Sequence, residues 1–195
     1  GLPPQLVLQR TLPLPETSLR EPALSRYVAA SAPRLFPVEA STLSLDYRLA
    51  GAANQLQVTA ARREVITQWL SPLLQAGLHP DVFELSSLAL MQVAMRLPLQ
   101  PQQLLVHPLG EHWLWTIAGE DATSGASSDA LTLAHLYETF PQIKKVFCTS
   151  PHLLPEAEVQ HVKPLALLRY RQPPLPAQEG DFAIALGLAL RPEDR

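Results

Sequence analysis

Lysine is scarce in this sequence. Lys144, Lys145 and Lys163 are the only three in 195 residues, and the formal net charge is −3. No basic stripe can be assembled from that inventory, so neither nucleic acid nor an anionic membrane surface is expected as a direct partner. Arg169-Tyr170-Arg171 mixes cation and aromatic, yet a single triplet of this kind is the usual composition of a solvated strand end. Cysteine is scarcer still. Cys148 stands alone, which excludes an internal disulfide, and its setting "KKVFCTS" suggests a small buried thiol in a reducing compartment. The longest apolar run, "FAIALGLAL" from Phe182 to Leu190, falls far short of the roughly 20 residues that span a bilayer, so membrane insertion is not expected. The phosphate loops G-x-x-x-x-G-K-[ST] and G-x-G-x-x-G are missing, as is the nucleophile motif G-x-S-x-G.

Apolar residues, by contrast, make up 47% of the chain against 17% charged. That balance excludes intrinsic disorder as a whole and supplies a real core. The chain begins with Gly1 rather than Met, which suggests a piece of a longer protein. Twenty prolines divide it into short elements. Gln5–Thr11 reads as a strand, and Glu21-Pro22 opens a helix with Leu24, Tyr27, Val28 and Ser31 on one face, stopped by Pro33. In "LSLDYRL", Leu43, Leu45, Tyr47 and Leu49 alternate with Ser44, Asp46 and Arg48, and "QLQVTA" alternates likewise, so the two form an antiparallel hairpin. A helix over Ala61–Gln75 carries the stripe Val65, Ile66, Trp69, Leu70, Leu73 and Leu74, with a kink or break expected at Pro72 and Gly77 past its end. "PDVFEL" reads as another strand. Strand, helix, strand, strand, helix, strand is the order of a ferredoxin-like unit.

Further on, Ser86 caps a helix running to Arg96, with Met91 and Met95 as core filler. "QQLLVHPLGEHWLWTIAG" is a strand, a tight turn and a second strand, and "GEDATSGASSD" is the most loop-like stretch. A helix is expected over Asp129–Phe140 and a strand over Lys145–Thr149. One or two more strands are expected in "EVQHVKPLALLRY", then a buried final helix capped by Asp181.

Few side chains suggest chemistry. Cys148 precedes His152 by four residues, the minimum for a thiolate–imidazole pair, but a buried strand cysteine beside a solvated histidine fits the setting better. His107 and His112 flank the turn of the second hairpin, where only Glu111 is near enough in sequence to join them as a metal ligand. The adjacent acids Glu120-Asp121 and Glu193-Asp194 read as solvated.

Several segments, in order along nearly the whole chain, resemble the PilM/HofM family of actin-like pilus-assembly proteins. They are "SRYVAASAPRLFPVEASTLSLDYRL", "VTAARREV", "AGLHPDVFEL" and "FAIALGLALR", with the HofM branch of DNA utilization proteins the nearest in pattern. The resemblance implies an α+β or α/β chain, a truncated actin-like fold. Residues 1–85 would be the ferredoxin-like inserted subdomain and residues 86–195 the remainder of the actin-like body, with the segment carrying the first phosphate loop lying ahead of Gly1. It implies a second phosphate hairpin at His107-Pro108-Leu109-Gly110-Glu111-His112. The family's pattern there is Asp-x-Gly followed by a hydroxyl, and its Asp organises magnesium. Here His107 takes the Asp place, Pro108 has no N–H, and Glu111 would face the phosphates. A like-charge contact at 4 Å costs about 1 kcal/mol in water and about 4 kcal/mol at a protein surface. The hairpin His107, Gly110, Glu111 therefore reads as a degenerate site, with no cofactor and no enzyme activity. The alternative is an ATP-binding protein, with magnesium, whose site is completed by a preceding segment.

The family further implies a cytoplasmic scaffold of a type IV pilus-like or DNA-uptake assembly, peripheral to the inner membrane through a protein partner. That partner would be the cytoplasmic tail of a PilN-like bitopic protein, docking as an extended peptide. Leu35, Phe36 and Val38 in "PRLFPVE" either border its groove or cap the core of the small subdomain. Self-association is left open.

Overall fold

The computed structural model describes residues 1–15, 19–49, 54–119, 122–150, 154 and 158–192. The chain divides into two compact units, residues 5–82 and residues 1–4 with 83–195.

In the smaller unit, β1 (Val7–Pro13), α1 (Ala23–Leu35), β2 (Leu43–Leu49), β3 (Gln55–Arg62) and α2 (Arg63–Gln75) follow one another. The sheet order is β1-β3-β2, with β3 antiparallel to both neighbours. β1 and β2 are thus parallel and joined by α1, a split βαβ arrangement. The alternation in "LSLDYRL" and "QLQVTA" sends Leu43, Leu56, Val58 and Ala60 to the face covered by Val28, Ala32 and Phe36. Ser31, on the same face of α1, is buried by donating its hydroxyl to the Tyr27 carbonyl at 2.8 Å. Tyr27 donates its own to the Pro13 carbonyl at 2.7 Å, tying α1 to β1.

The expected fourth strand does not form. Residues 80–84 join no strand ladder, and the stretch makes only an isolated parallel bridge, Leu85 to Leu2, with the Leu2 N–H donating to the Glu84 carbonyl at 2.7 Å. Pro80 has no N–H to give a ladder, which weakens any strand beginning there. A three-stranded sheet, one strand short of the ferredoxin-like set, is what the described residues build.

α2 runs unbroken to Gln75, with Pro72 in its last turn. Its apolar stripe finds little cover: none of its residues is buried, and Trp69 is 40% exposed. Gly77 takes φ +75 just beyond it, where Leu78 N–H closes on the Leu73 carbonyl at 2.8 Å. That is the left-handed helix stop its position suggests.

The larger unit contains α3 (Ser86–Ala94), β4 (Gln103–Leu109), β5 (His112–Ile117), β6 (Thr123–Ser127), α4 (Leu133–Thr139), β7 (Lys145–Cys148), β8 (Val159–His161) and α5 (Ala183–Ala189). Its sheet has the order β6-β5-β4-β7-β8, antiparallel among β6, β5 and β4 and parallel among β4, β7 and β8. A sheet of this kind is covered on both faces, and the uninterrupted apolar run "LLV" in β4 meets that need. Leu104, Val106, Val146, Cys148 and Val159 face α4, with Leu136, Phe140 and Trp113. Leu105, Leu114 and Phe147 face α3 and α5, with Leu90, Val93, Ala183 and Leu186. α3 and α5 approach so closely that a Cβ on Gly187 would collide with the Ala89 carbonyl.

Several elements differ from expectation. β6 forms inside the stretch that reads as loop. α4 begins at Leu133, capped by Thr132, whose hydroxyl accepts from the His135 N–H at 3.2 Å. Ser86 does not cap α3; its hydroxyl donates to the Leu2 carbonyl at 3.3 Å. Met95 lies past the end of α3 and is 65% exposed, so it is not core filler.

Candidate functional site

The second hairpin is the place to look, because it ends at the carboxyl edge of the parallel strands, where open α/β sheets bind ligands. β4 and β5 pair from Leu104↔Ile117 to Leu109↔His112, leaving Gly110 and Glu111 as the turn. Gly110 takes φ +62, a left-handed conformation that glycine adopts without strain. Pro108 is accommodated by register. The Val106 carbonyl faces β7, accepting from Thr149 N–H at 3.2 Å, so by alternation position 108 also faces that side. The last β4–β7 pair is Val106↔Cys148. The proline therefore interrupts no ladder bond.

His107 points to the α3/α5 face, between Leu105 and Leu109 in alternation. It is buried, 4% exposed, and its Nδ1 shares a 2.8 Å hydrogen bond with Oγ1 of Thr149, itself buried. Desolvation lowers the imidazole pKa to about 4, overriding the opposing pull of Asp181. His107 is therefore neutral at pH 7 and offers phosphate no positive charge. The Thr149 hydroxyl is engaged with the imidazole. Behind this pair, Gly180 lies so close to Thr149 that a Cβ there would collide with the Thr149 carbonyl.

At the turn, a cleft of about 250 Å³ is lined by Gly110, Glu111, His112, Trp113 and Asp129 among others. Two carboxylates and no lysine or arginine line it, a poor seat for a polyphosphate. Asp129 is held in place: its carboxylate accepts from the Ser127 hydroxyl at 2.8 Å, and its carbonyl accepts from the Trp113 indole N–H at 2.9 Å. His112 is exposed and stands opposite Leu109 rather than His107. No group of three metal-competent side chains occurs among the described residues.

The other candidates separate. Phe36 is 3% exposed in the core of the smaller unit, with Leu35 and Val38 packed against that core. Its ring is packed between α1 and the small sheet, while Leu35 and Val38 stay half-buried. His152, Glu120-Asp121 and Glu193-Asp194 lie outside the described residues. The register neighbour of Cys148 is His161, yet no hydrogen bond joins them and burial raises the thiol pKa, the opposite of an activated thiolate. Thr149, Gly180 and Asp181 were not legible as site residues. The one signal for Thr149 is a hydroxyl directly after a strand destined to lie beside β4.

No protein-family model matches the chain. Over 193 residues it is 30% identical to the DNA utilization protein HofM of Escherichia coli (strain K12), covering 97% of this chain and 70% of that protein. Among solved structures it is similar to a chain of the PilM-PilN type IV pilus biogenesis complex, with TM-score 0.64 and 18% identity over 95% of this chain and 76% of that one. It is also similar to the cytoplasmic domain of EpsL, an inner membrane component of the type II secretion system of Vibrio cholerae, with TM-score 0.55 and 16% identity. That alignment covers 98% of this chain and 74% of that one. The chain thus shares its fold with these assembly-protein domains. The chain belongs to the PilM/HofM family.

Proposed function

We propose that the protein is a non-enzymatic scaffold of a type IV pilus-like or DNA-uptake assembly. It works at the cytoplasmic side of the inner membrane and holds the tail of a PilN-like bitopic protein. The family and the similarity to a PilM-PilN complex support the assembly role and the partner. No helix among the described residues is long and apolar enough to cross a membrane, in keeping with attachment through a partner.

The observation that carries the non-enzymatic part is the state of His107. Where the family pattern places a magnesium-organising carboxylate, this chain has an uncharged imidazole buried against Thr149. Such a group neither holds the metal nor neutralises a phosphate. The carboxylates of Glu111 and Asp129 at the adjoining cleft add repulsion.

Calorimetry tests both halves. Titrating the protein with Mg-ATP is expected to give no saturable heat below millimolar concentration, and a PilN-like tail peptide is expected to bind. Saturable sub-millimolar Mg-ATP binding would overturn the scaffold reading in favour of an ATP-binding protein. Absence of tail binding would remove the partner.

A further inference from the structure

Arg169-Tyr170-Arg171 does not end a strand. β8 stops at His161, and a short 3₁₀ turn, Pro164–Leu167, follows it. From Leu168 to Gln178 the chain forms neither helix nor strand, and it returns through a second 3₁₀ turn, Glu179–Phe182. The two turns contact each other, so the excursion is closed at its base like an Ω-loop. Residues 169–177 make no backbone hydrogen bond among the described residues. Pro173, Pro174 and Pro176 have no N–H to give, which keeps the segment out of any ladder or helix.

The tip of this loop is basic, aromatic and unpaired. Every residue from Leu168 to Leu175 is exposed. Residues 159–178 include Lys163, Arg169 and Arg171 but no aspartate or glutamate. The acids that follow belong to the base of the loop, where Asp181 acts on His107 and Oε2 of Glu179 is buried. Neither arginine has a hydrogen-bond or ion-pair partner among the described residues. Between them Tyr170 is 93% exposed, with the exposed side chains of Leu168 and Leu175 on either side in sequence.

That combination narrows the occupant. The net charge of −3 is an average over the whole chain and does not describe this tip. A nucleic acid is tracked by a longer run of cations than three. An acidic peptide would pair the arginines and leave the ring and the leucines in water. The headgroup layer of an anionic bilayer satisfies all of them, because it offers phosphates beside an apolar boundary where a tyrosine ring is buried and its hydroxyl stays wet.

We propose that the Leu168–Leu175 loop docks on an anionic lipid surface, with Arg169 and Arg171 on headgroup phosphates and Tyr170 in the interfacial layer. The contact is shallow and reversible, since two arginines and one ring fall far short of an anchor. The inference rests on the loop alone, so vesicle binding and binding of a PilN-like tail can fail separately.

The test is co-sedimentation of the whole chain with phosphatidylcholine vesicles carrying about 40% phosphatidylglycerol, against pure phosphatidylcholine. Saturable binding is expected on the anionic vesicles, at least about tenfold weaker on the neutral ones and weakened by added salt. Each arginine near the surface contributes about fivefold, so Arg169→Gln with Arg171→Gln should bind about thirtyfold more weakly. Tyr170→Ser should weaken binding at least about threefold. All three side chains are exposed and unpaired, so the variants should keep the thermal midpoint of the parent. Absence of binding to anionic vesicles, equal binding to neutral ones, or an undiminished double variant overturns the proposal. So does a Tyr170→Ser variant that binds like the parent, which would make the loop a site for a soluble polyanion.

Discussion

Lowering the pH should destabilise this protein through His107 in particular. Its imidazole pKa falls from 6.5 to about 4 on folding because burial penalises the charged form. The unfolded chain therefore takes up a proton first as pH drops. The stability tied to the neutral ring is complete above pH 6.5, declines as pH falls below that, and is exhausted near pH 4. At 1.36 kcal/mol per unit, the loss is about 2 kcal/mol by pH 5 and about 3 kcal/mol by pH 4. His107→Gln removes the titration while keeping a polar atom within reach of the Thr149 hydroxyl. Urea midpoints from pH 7.5 to 5 should show the native protein losing about 2 kcal/mol more than the variant. The histidine's ring resonances should also stay in the neutral position down to about pH 5. Parallel stability profiles for the two proteins would refute the argument, and with it the statement that the second hairpin carries no charge at position 107.

Gly187→Ala should cost about 3 kcal/mol, the upper end of the overpacking range, because its methyl meets a helix carbonyl rather than a movable side chain. Gly110→Ala has open space around it and should cost only the left-handed strain, about 1 kcal/mol. Thermal melts of the pair separate the two causes, and equal losses would contradict the collision at Ala89. Phe36→Ala should destabilise by about 3–5 kcal/mol, read as a lowered urea midpoint; a near-neutral change would return Phe36 to the surface. In hydrogen exchange, the amides of α2 should exchange at least about tenfold faster than those of α3, since α2 has no fully buried residue and α3 lies in the core. Equal protection would mean α2 is covered.

The sequence made the strongly alternating strands plain. β2 and β3 show a period of two, β4 and β5 are apolar runs either side of a Gly-Glu turn, and the pairing of each hairpin follows from its turn. β6 was invisible because its five small and polar residues have little strand propensity. Pairing with β5 and the cover of Trp115 over Gly125 override that preference. The reverse holds at "PDVFEL", where Val82 and Phe83 have strand propensity but Pro80 and the short span leave no ladder to join. At the candidate site, His107, Gly110 and Glu111 could be named from the chain alone. Thr149 and Asp181 could not, because Thr149 lies 42 residues from His107 and only the sheet order brings them together.

Cys148 has a consequence of another kind. It is the only thiol in the chain, fully buried at the end of β7 in the larger unit, and its pKa is raised by the same burial. A thiol reagent can reach it only when that unit opens, and the smaller unit has no cysteine to confuse the signal. Pulsed alkylation followed by mass measurement therefore times the opening of the five-stranded sheet by itself, with no label or substitution introduced. The same measurement on the protein with a bound partner would show whether the partner holds the larger unit shut.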